Sequence, residues 1–326
     1  MPPAPPNTLL YLRHKSFYIL DSNPGPKWKN LLRNIQMALL LLLTVLGQPV
    51  SAQQEISLWA EEAPPYSKES TLQEYVAPCW GADCAYQVVS PTLTIYTPEG
   101  KGNGNAVLVL PGGGYDVFAI FHEGSEIAEI LAENGTTAAV LKYRLPRLET
   151  STQPELVPLS DVRQAMRVLR DRQAEFGFRA ERIGVMGFSA GSHLATFASL
   201  HRVADDDLNP DFSMLIYGVT KLTPTNQQWL EKSLYHRKLT DAEVVEQTLL
   251  NHVNKNSPPA FLVHAMDDDT CHFTESTLYA AALTLNGVDV EMHLFPHGGH
   301  GFGPGRKEDG TDQWLTLAAN WLNRQR

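Results

Sequence analysis

Ile183-Gly184-Val185-Met186-Gly187-Phe188-Ser189-Ala190-Gly191-Ser192-His193-Leu194 is the stretch on which the fold turns. Ile183 to Met186 is a short apolar run of the kind expected for a strand covered on both faces. Leu194 to Leu200 reads as a helix. Between them lies Gly187-Phe188-Ser189-Ala190-Gly191, a match to G-x-S-x-G. A strand that passes through so tight a turn into a helix lifts the Ser189 hydroxyl above the strand end and aims the Ala190 N–H at the same point. The plain alternative is a glycine-rich turn holding an ordinary serine. The strand before and the helix after select the nucleophile reading.

Outward from this turn, strands and helices alternate. Thr92 to Tyr96 alternates apolar and polar residues, and Ala106 to Leu110 is continuously apolar. Ile127, Ile130 and Leu131 share a helical face that Gly135 can stop, and Thr137 to Tyr143 reads as the next strand. Val162, Ala165, Met166 and Leu169 lie on one helical face, with Ser160 placed as its cap. Met214 to Tyr217, Phe261 to Ala265 and Val288 to Phe295 read as strands, with a helix near Leu278 to Leu285 and a closing helix from Trp314 to Leu322. Residues 218–258 are polar and less regular, with a capping box at Thr240 to Glu243 opening a helix toward Leu250. Residues 53–90 read as an irregular wrap or an edge hairpin. Alternation of this kind calls for a mostly parallel central sheet with helices on both faces. In such sheets the ligand site lies at the carboxyl ends of the strands.

A serine hydroxyl needs a base to take its proton, and the base needs a group to orient it. Two later strand ends supply both. Phe261 to Ala265 runs into Met266-Asp267-Asp268-Asp269, and Val288 to Phe295 into Pro296-His297-Gly298-Gly299-His300-Gly301-Phe302. His300 is the chosen base, because glycines on both sides let its loop fold over the serine. His297 reads as a turn residue or a substrate contact. The residues alone leave the carboxylate open among Asp267, Asp268 and Asp269. Gly112, Gly113 and Gly114 follow the Ala106 to Leu110 strand, so their backbone can approach an anionic intermediate closely. Gly113 or Gly114 together with Ala190 are the expected N–H donors. A phosphate-cradling loop would want Lys and Ser or Thr after the glycines, where Tyr115-Asp116 stands instead. His122 and Glu123 read as helix caps, the alternative being a place on the active-site rim, Asp161 and His193 as structural, Tyr143 and Arg144 as braces of the glycine loop, and Cys271 as buried or free. His297 and His300 lack a third ligand at any recognisable spacing, so neither metal nor cofactor is expected.

The chain has 326 residues, a net charge of −10 and a pI near 5.5. That balance argues against nucleic acid and anionic membrane surfaces as partners, and the oligomeric state is not legible. Three cysteines are present. Cys79 and Cys84 suit either a local disulfide or two free thiols, and no zinc-type C-x-x-C pair exists. Met37 to Ala52, with Arg33 before it, the apolar run Ala38 to Leu46, and Val50-Ser51-Ala52 at its end, has the pattern of a secretory signal peptide. The run is far short of the ~20 residues that span a bilayer. A buried helix or an uncleaved anchor is the alternative. The expected organisation is an N-terminal extension and signal over 1–52 and a single domain over 53–326, exported to the periplasm or beyond. Met37 is a candidate start, the alternative being a long basic region before the signal.

The motifs in combination resemble a known family. Pro111-Gly112-Gly113-Gly114-Tyr115, His122-Glu123-Gly124, Leu141-Lys142-Tyr143-Arg144, Gly187 to His193 and Gly298 to Phe302 look like the bacterial acetylxylan-esterase-like branch of the α/β hydrolases, related to the hormone-sensitive-lipase-like esterases. The likeness covers roughly residues 90–325. It implies the α/β-hydrolase fold and a serine esterase that releases acetate from xylan, pectin or related glycans, the substrate being an acylated carbohydrate or another small ester. It also implies Asp268 as the carboxylate, since related chains read His-Gly-x-x-Asp here and His264 fixes the register. Pro111 replaces a histidine of the lipase motif, Ser192 follows Gly191 where glycine is common, and Cys271-His272 stands where Val-Pro is frequent. The Cys79 to Cys84 segment lies outside the stretch the resemblance covers. A short-chain carboxylesterase, a lipase-like enzyme or a peptidase is the competing expectation, and a non-catalytic protein on the same fold a third. The polar 218–258 stretch does not suit the apolar lid of a long-chain lipase.

Overall fold

Asn105–Leu110 buries all six of its residues, as its unbroken apolar run requires, and the central sheet is built around it. The structure is a computed structural model that describes residues 54–325 except 61, 62 and 177. The Met37 to Ala52 segment, expected to be a signal peptide, therefore lies outside the described residues. In chain order the strands are β1 (Gln54–Ser57), β2 (Tyr75–Cys79), β3 (Ala82–Tyr86), β4 (Thr92–Tyr96), β5 (Asn105–Leu110), β6 (Val117–Phe118), β7 (Thr137–Lys142), β8 (Arg182–Phe188), β9 (Ser213–Ile216), β10 (Ala260–Ala265) and β11 (Val290–Phe295). The α-helices are α1 (Glu126–Glu133), α2 (Val157–Asp171), α3 (Ala190–Leu200), α4 (Pro224–Ser233), α5 (Asp241–Gln247), α6 (Thr274–Leu285) and α7 (Gln313–Arg324). All described residues fall within the compact unit Val50–Arg326.

Eight strands form the main sheet in the order β1-β4-β7-β5-β8-β9-β10-β11. The β1 and β4 pairings are antiparallel, and every pairing from β7 to β11 is parallel. The chain leaves β5 toward β7 on one side and leaves β8 toward β9 on the other. The gap between the ends of β5 and β8 is thus the point where the winding reverses, which is where open α/β sheets bind ligands.

Successive side chains of a strand face opposite ways, and β5 feeds two cores accordingly. Leu108 and Leu110 join a cluster with Val162, Met166 and Leu169 of α2, Leu194 and Ala198 of α3, and Tyr279 and Leu283 of α6. Val107 and Val109 join one with Ile127 and Leu131 of α1 and Trp314, Ala318 and Leu322 of α7. The sheet is therefore sandwiched by helices. Among the described residues no helix is long and apolar enough to cross a membrane.

Several local readings are corrected. Helix α2 begins at Val157, with Pro158 in its first turn, so Ser160 is not its cap. Proline suits a first turn because its missing N–H would be unpaired there. The Ser160 hydroxyl instead donates back to the Val157 carbonyl at 2.7 Å. The capping box at Thr240 and Glu243 is present, but α5 stops at Gln247 and Leu249–His252 form a separate tight turn. Residues 75–86 form a hairpin closed by a disulfide between Cys79 and Cys84, whose β3 pairs with β6 in a small second sheet.

Candidate active site

Ser189 sits between β8 and α3 with φ 51° and ψ −118°, a backbone conformation that side chains rarely adopt. The turn closes only because its neighbours are glycines. A Cβ at Gly191 would run into the Leu110 carbonyl, and one at Gly187 into the Gly191 carbonyl. The Ser189 N–H is anchored on the Ile216 carbonyl at 3.0 Å, so the strained residue is tied to the next strand. Its hydroxyl lies 2.8 Å from His300 Nε2.

His300 Nδ1 lies 2.8 Å from Asp268 Oδ2. The other Asp268 oxygen accepts the Thr270 N–H at 2.9 Å and the Cys271 N–H at 2.8 Å. Burial alone would raise the Asp268 carboxyl, yet the hydrogen bonds from His264 and His300 and the Cys271 N–H outweigh it and hold it well below the ordinary carboxylate range. An ionised carboxylate can only accept, so Nδ1 carries the His300 proton and Nε2 is left as an acceptor for the serine hydroxyl. His264 braces the same carboxylate from behind. Its Nε2 is 2.8 Å from the Cys271 carbonyl and 3.3 Å from Asp268 Oδ2, and its Nδ1 accepts from Ser276 Oγ at 2.8 Å.

The rivals do other things. Asp267 accepts the Gly299 N–H at 2.8 Å and lies 3.3 Å from the exposed His297 ring, so it pins the histidine loop from outside. Arg306 donates to the Gly298 carbonyl at 2.7 Å, and Trp314 donates to that of Gly303 at 3.0 Å. The loop that carries His300 is thus held on both flanks. His193 is buried against Tyr115, whose hydroxyl lies 2.9 Å from its Nδ1, and burial pushes its pKa down to about 3. Cys271 is a buried free thiol.

Gly112, Gly113 and Gly114 lie across from the elbow. The Gly113 φ of 126° and the Val117 carbonyl that a Cβ there would strike both require glycine. Its carbonyl accepts from Asp116 and Val117, folding the loop back on itself. No hydrogen bond among the described residues uses the N–H of Gly113, Gly114 or Ala190, and Ala190, as the first residue of α3, has no intrahelical acceptor.

Three residues of this site do more than the sequence reading assigns them. Glu123 is not a helix cap. It is 3% exposed, and one oxygen accepts the Gly112 N–H at 2.7 Å while the other accepts the Tyr217 hydroxyl at 2.9 Å. Tyr217 in turn accepts the Gly303 N–H at 3.1 Å, and its ring meets that of His300 edge-on at 5.1 Å. Burial and the adjacent Glu123 charge push the Tyr217 hydroxyl well up, so it stays a donor. One buried carboxylate thereby couples the glycine loop to the histidine loop. The third is Trp229 of α4, which donates to the Gly114 carbonyl at 3.1 Å. Tyr143 does brace the loop, through Pro111 at 2.9 Å. Arg144 does not; it is buried in an ion pair with Asp161 and reaches the Pro65 carbonyl, tying down the N-terminal segment. Among the described residues no group of His, Cys, Asp and Glu is placed to hold a metal ion.

Comparison with known proteins matches residues 93–283, more than half of the chain, to the BD-FAE family model. The chain belongs to the BD-FAE family. Its fold is that of the α/β hydrolases. It is 30% identical to an acetylxylan esterase of Xylanibacter ruminicola over 71% of this chain and 47% of that one. It is 28% identical to endo-1,4-beta-xylanase B of Butyrivibrio fibrisolvens over 65% of this chain and 34% of the other. The chain thus spans about half or less of these two curated relatives. Among solved structures it is similar to an acetyl ester-xyloside bifunctional hydrolase from Caldicellulosiruptor lactoaceticus, with 29% identity and a TM-score of 0.68, covering 82% of this chain and 95% of the other.

Proposed function

We propose that this member of the family is a serine esterase that removes acetyl groups from plant-type polysaccharides. The observation that carries it is the continuous relay from Ser189 Oγ to His300 Nε2 and from His300 Nδ1 to Asp268, each link 2.8 Å. Ser189 attacks the acetyl carbonyl as His300 accepts its proton, and the sugar alkoxide leaves with that proton. Water, deprotonated by the same imidazole, then releases acetate from the acyl-enzyme. Asp268 holds the imidazole in the productive tautomer. Gly113, Gly114 and Ala190 are the donors in place for the oxyanion, a type of contact whose loss costs about 10²–10³ in rate. The reaction as written calls for no cofactor or metal.

The substrate class rests on the relatives, one of which is named an acetylxylan esterase and another an acetyl ester-xyloside bifunctional hydrolase. Export is part of the proposal. The Met37 to Ala52 pattern supports it, and so does the Cys79–Cys84 disulfide, a bond that persists in oxidising compartments. The test is acetate release from a panel of acetylated xylan and pectin, compared with octanoyl esters. Release from one or more of the glycans at a higher kcat/KM than any octanoyl ester is expected. An octanoyl preference would overturn the polysaccharide reading and leave a lipase-like carboxylesterase in its place.

A further inference from the structure

An open cavity of about 460 Å³, which the proposed reaction does not use, lies at the C-terminal end of α4, a volume within the range of about 300–1,000 Å³ usual for small-molecule sites. It lies between α4 with the turn after it and the loop at Leu148. The chain as a whole carries a charge of −10, yet the cavity wall holds Lys232, Arg237 and Lys238 against the single carboxylate of Glu231. Glu231 is already spent. It accepts from Lys238, from the Leu239 N–H and from Gln227, which hold it ionised at about 2. Arg237 is paired with Glu243. Glu155 lies near Arg237 as well. Lys232 is exposed and has no carboxylate partner among the described residues, so its ammonium is left without a countercharge in this wall.

The cavity is fixed to the candidate active site through its walls. Trp229, three residues before Lys232 on α4 and so about 4.5 Å along the axis, donates to the Gly114 carbonyl. Arg147, next to Leu148, donates to the Asp116 carbonyl at 3.1 Å. His236 takes a strained φ of 52° and reaches the Pro146 carbonyl at 2.6 Å, closing the turn after α4 against the 146–148 loop. Strain of this kind persists only where surrounding contacts impose it. Leu148, 51% exposed, offers an apolar surface for the C–H face of a sugar ring.

We propose that this cavity is an accessory subsite for a carboxylate-bearing sugar, a uronate residue or side group of the polysaccharide whose acetyl ester lies at Ser189, with Lys232 as its main contact. The inference rests on the polysaccharide reading above for its choice of occupant. A neutral sugar gains little from an unpaired ammonium, whereas a carboxylate meets both the charge and the hydrogen-bond donors of the Lys232 head.

The test uses the full chain carrying Ser189→Ala, so that binding is read without turnover. Xylotetraose and the same oligosaccharide bearing one glucuronosyl group are titrated by calorimetry, with inorganic phosphate as a third probe. At low salt the uronate-bearing sugar is expected to bind about fivefold more tightly than the neutral one, the scale of a single exposed ion pair. The advantage should shrink toward unity in 0.5 M NaCl, fall in Lys232→Gln and vanish in Lys232→Glu, while 4-nitrophenyl acetate hydrolysis by Lys232→Gln with Ser189 intact stays unchanged. Equal binding of the two sugars, a preference that survives Lys232→Glu, or phosphate binding as tightly as the uronate sugar would overturn the subsite. Failure of acetate release from every glycan would instead overturn the polysaccharide reading, a separate result.

Discussion

At the residue scale, the site separates groups that look alike in the sequence. Asp267, Asp268 and Asp269 are consecutive, and composition cannot rank them. Asp268 is the one that strand β10 delivers buried, with two backbone N–H groups on one oxygen and two imidazoles on the other. Asp267 works from outside, on Gly299. Replacing Asp268 with Asn should therefore lower kcat by about 10³–10⁴, the scale seen when the orienting carboxylate of such a relay is lost. Asp267→Asn should lower it by less than about tenfold, and steady-state kinetics on 4-nitrophenyl acetate checks both. Ser189 and His300 were legible because the glycines that each needs flank it in the sequence. Glu123 and Tyr217 were not. They meet across 94 positions, and neither carries a local pattern that marks a buried hydrogen-bond hub. Glu123→Gln keeps the size and one acceptor but must turn an amide toward Gly112 or Tyr217. It should lower kcat by about 10- to 100-fold, the penalty of small misplacement, with KM within about threefold. A variant that loses kcat only in proportion to its folded fraction would reduce Glu123 to a structural role.

At the element scale, strands covered on both faces announced themselves as unbroken apolar runs, and β5, β8, β9 and β10 stand where those runs lie. The glycine loop and the elbow followed from them, since each is simply what comes after a central strand. Helix starts were less legible. Ser160 resembled a cap because capping residues also serve inside a first turn, where a hydroxyl can bond back to a carbonyl. The role of α4 was hidden too, because a polar stretch gives no sign that one tryptophan within it will reach Gly114. The β2–β3 hairpin remained open in the sequence between bridged and free thiols, and the structure bridges it. A loop this short restrains the unfolded chain by about 2 kcal/mol in the chain-entropy picture. The double variant Cys79→Ser/Cys84→Ser should lose stability on that order in urea unfolding. Its kcat/KM should stay within about twofold, because the hairpin's strand pairing to the segment after the glycine loop is the two-residue β6.

At the scale of the whole molecule, strand order decides where chemistry can occur. The winding reverses between β5 and β8, and the ends of β10 and β11 lie on the same rim. The order of the strands was not written in the sequence, but the rule that sites follow parallel strand ends made the rim predictable. Buried ionisable groups make the fold sensitive to acid. Burial, with the nearby His201 charge adding to it, holds His193 at about 3, whereas an unfolded imidazole binds its proton near 6.5. Between those values the unfolded state binds more protons, so stability rises with pH, by up to about 1.4 kcal/mol per pH unit from this group. Asp268 adds to the loss in stronger acid. Its depressed pKa stabilises the folded chain above about pH 4, and that contribution fades as pH falls further. Urea unfolding at pH 6, 5 and 4 should show a clear decline for the wild-type chain and a shallower one for His193→Gln.

The central claim is that Ser189 becomes covalently acylated at the meeting point of these loops, and intact-protein mass spectrometry after exposure to a fluorophosphonate reads it most directly. The account predicts a single adduct that maps to Ser189, absent in Ser189→Ala and formed much more slowly in His300→Ala. An adduct of equal yield in the Ser189→Ala chain, or none in the folded wild type, would contradict it.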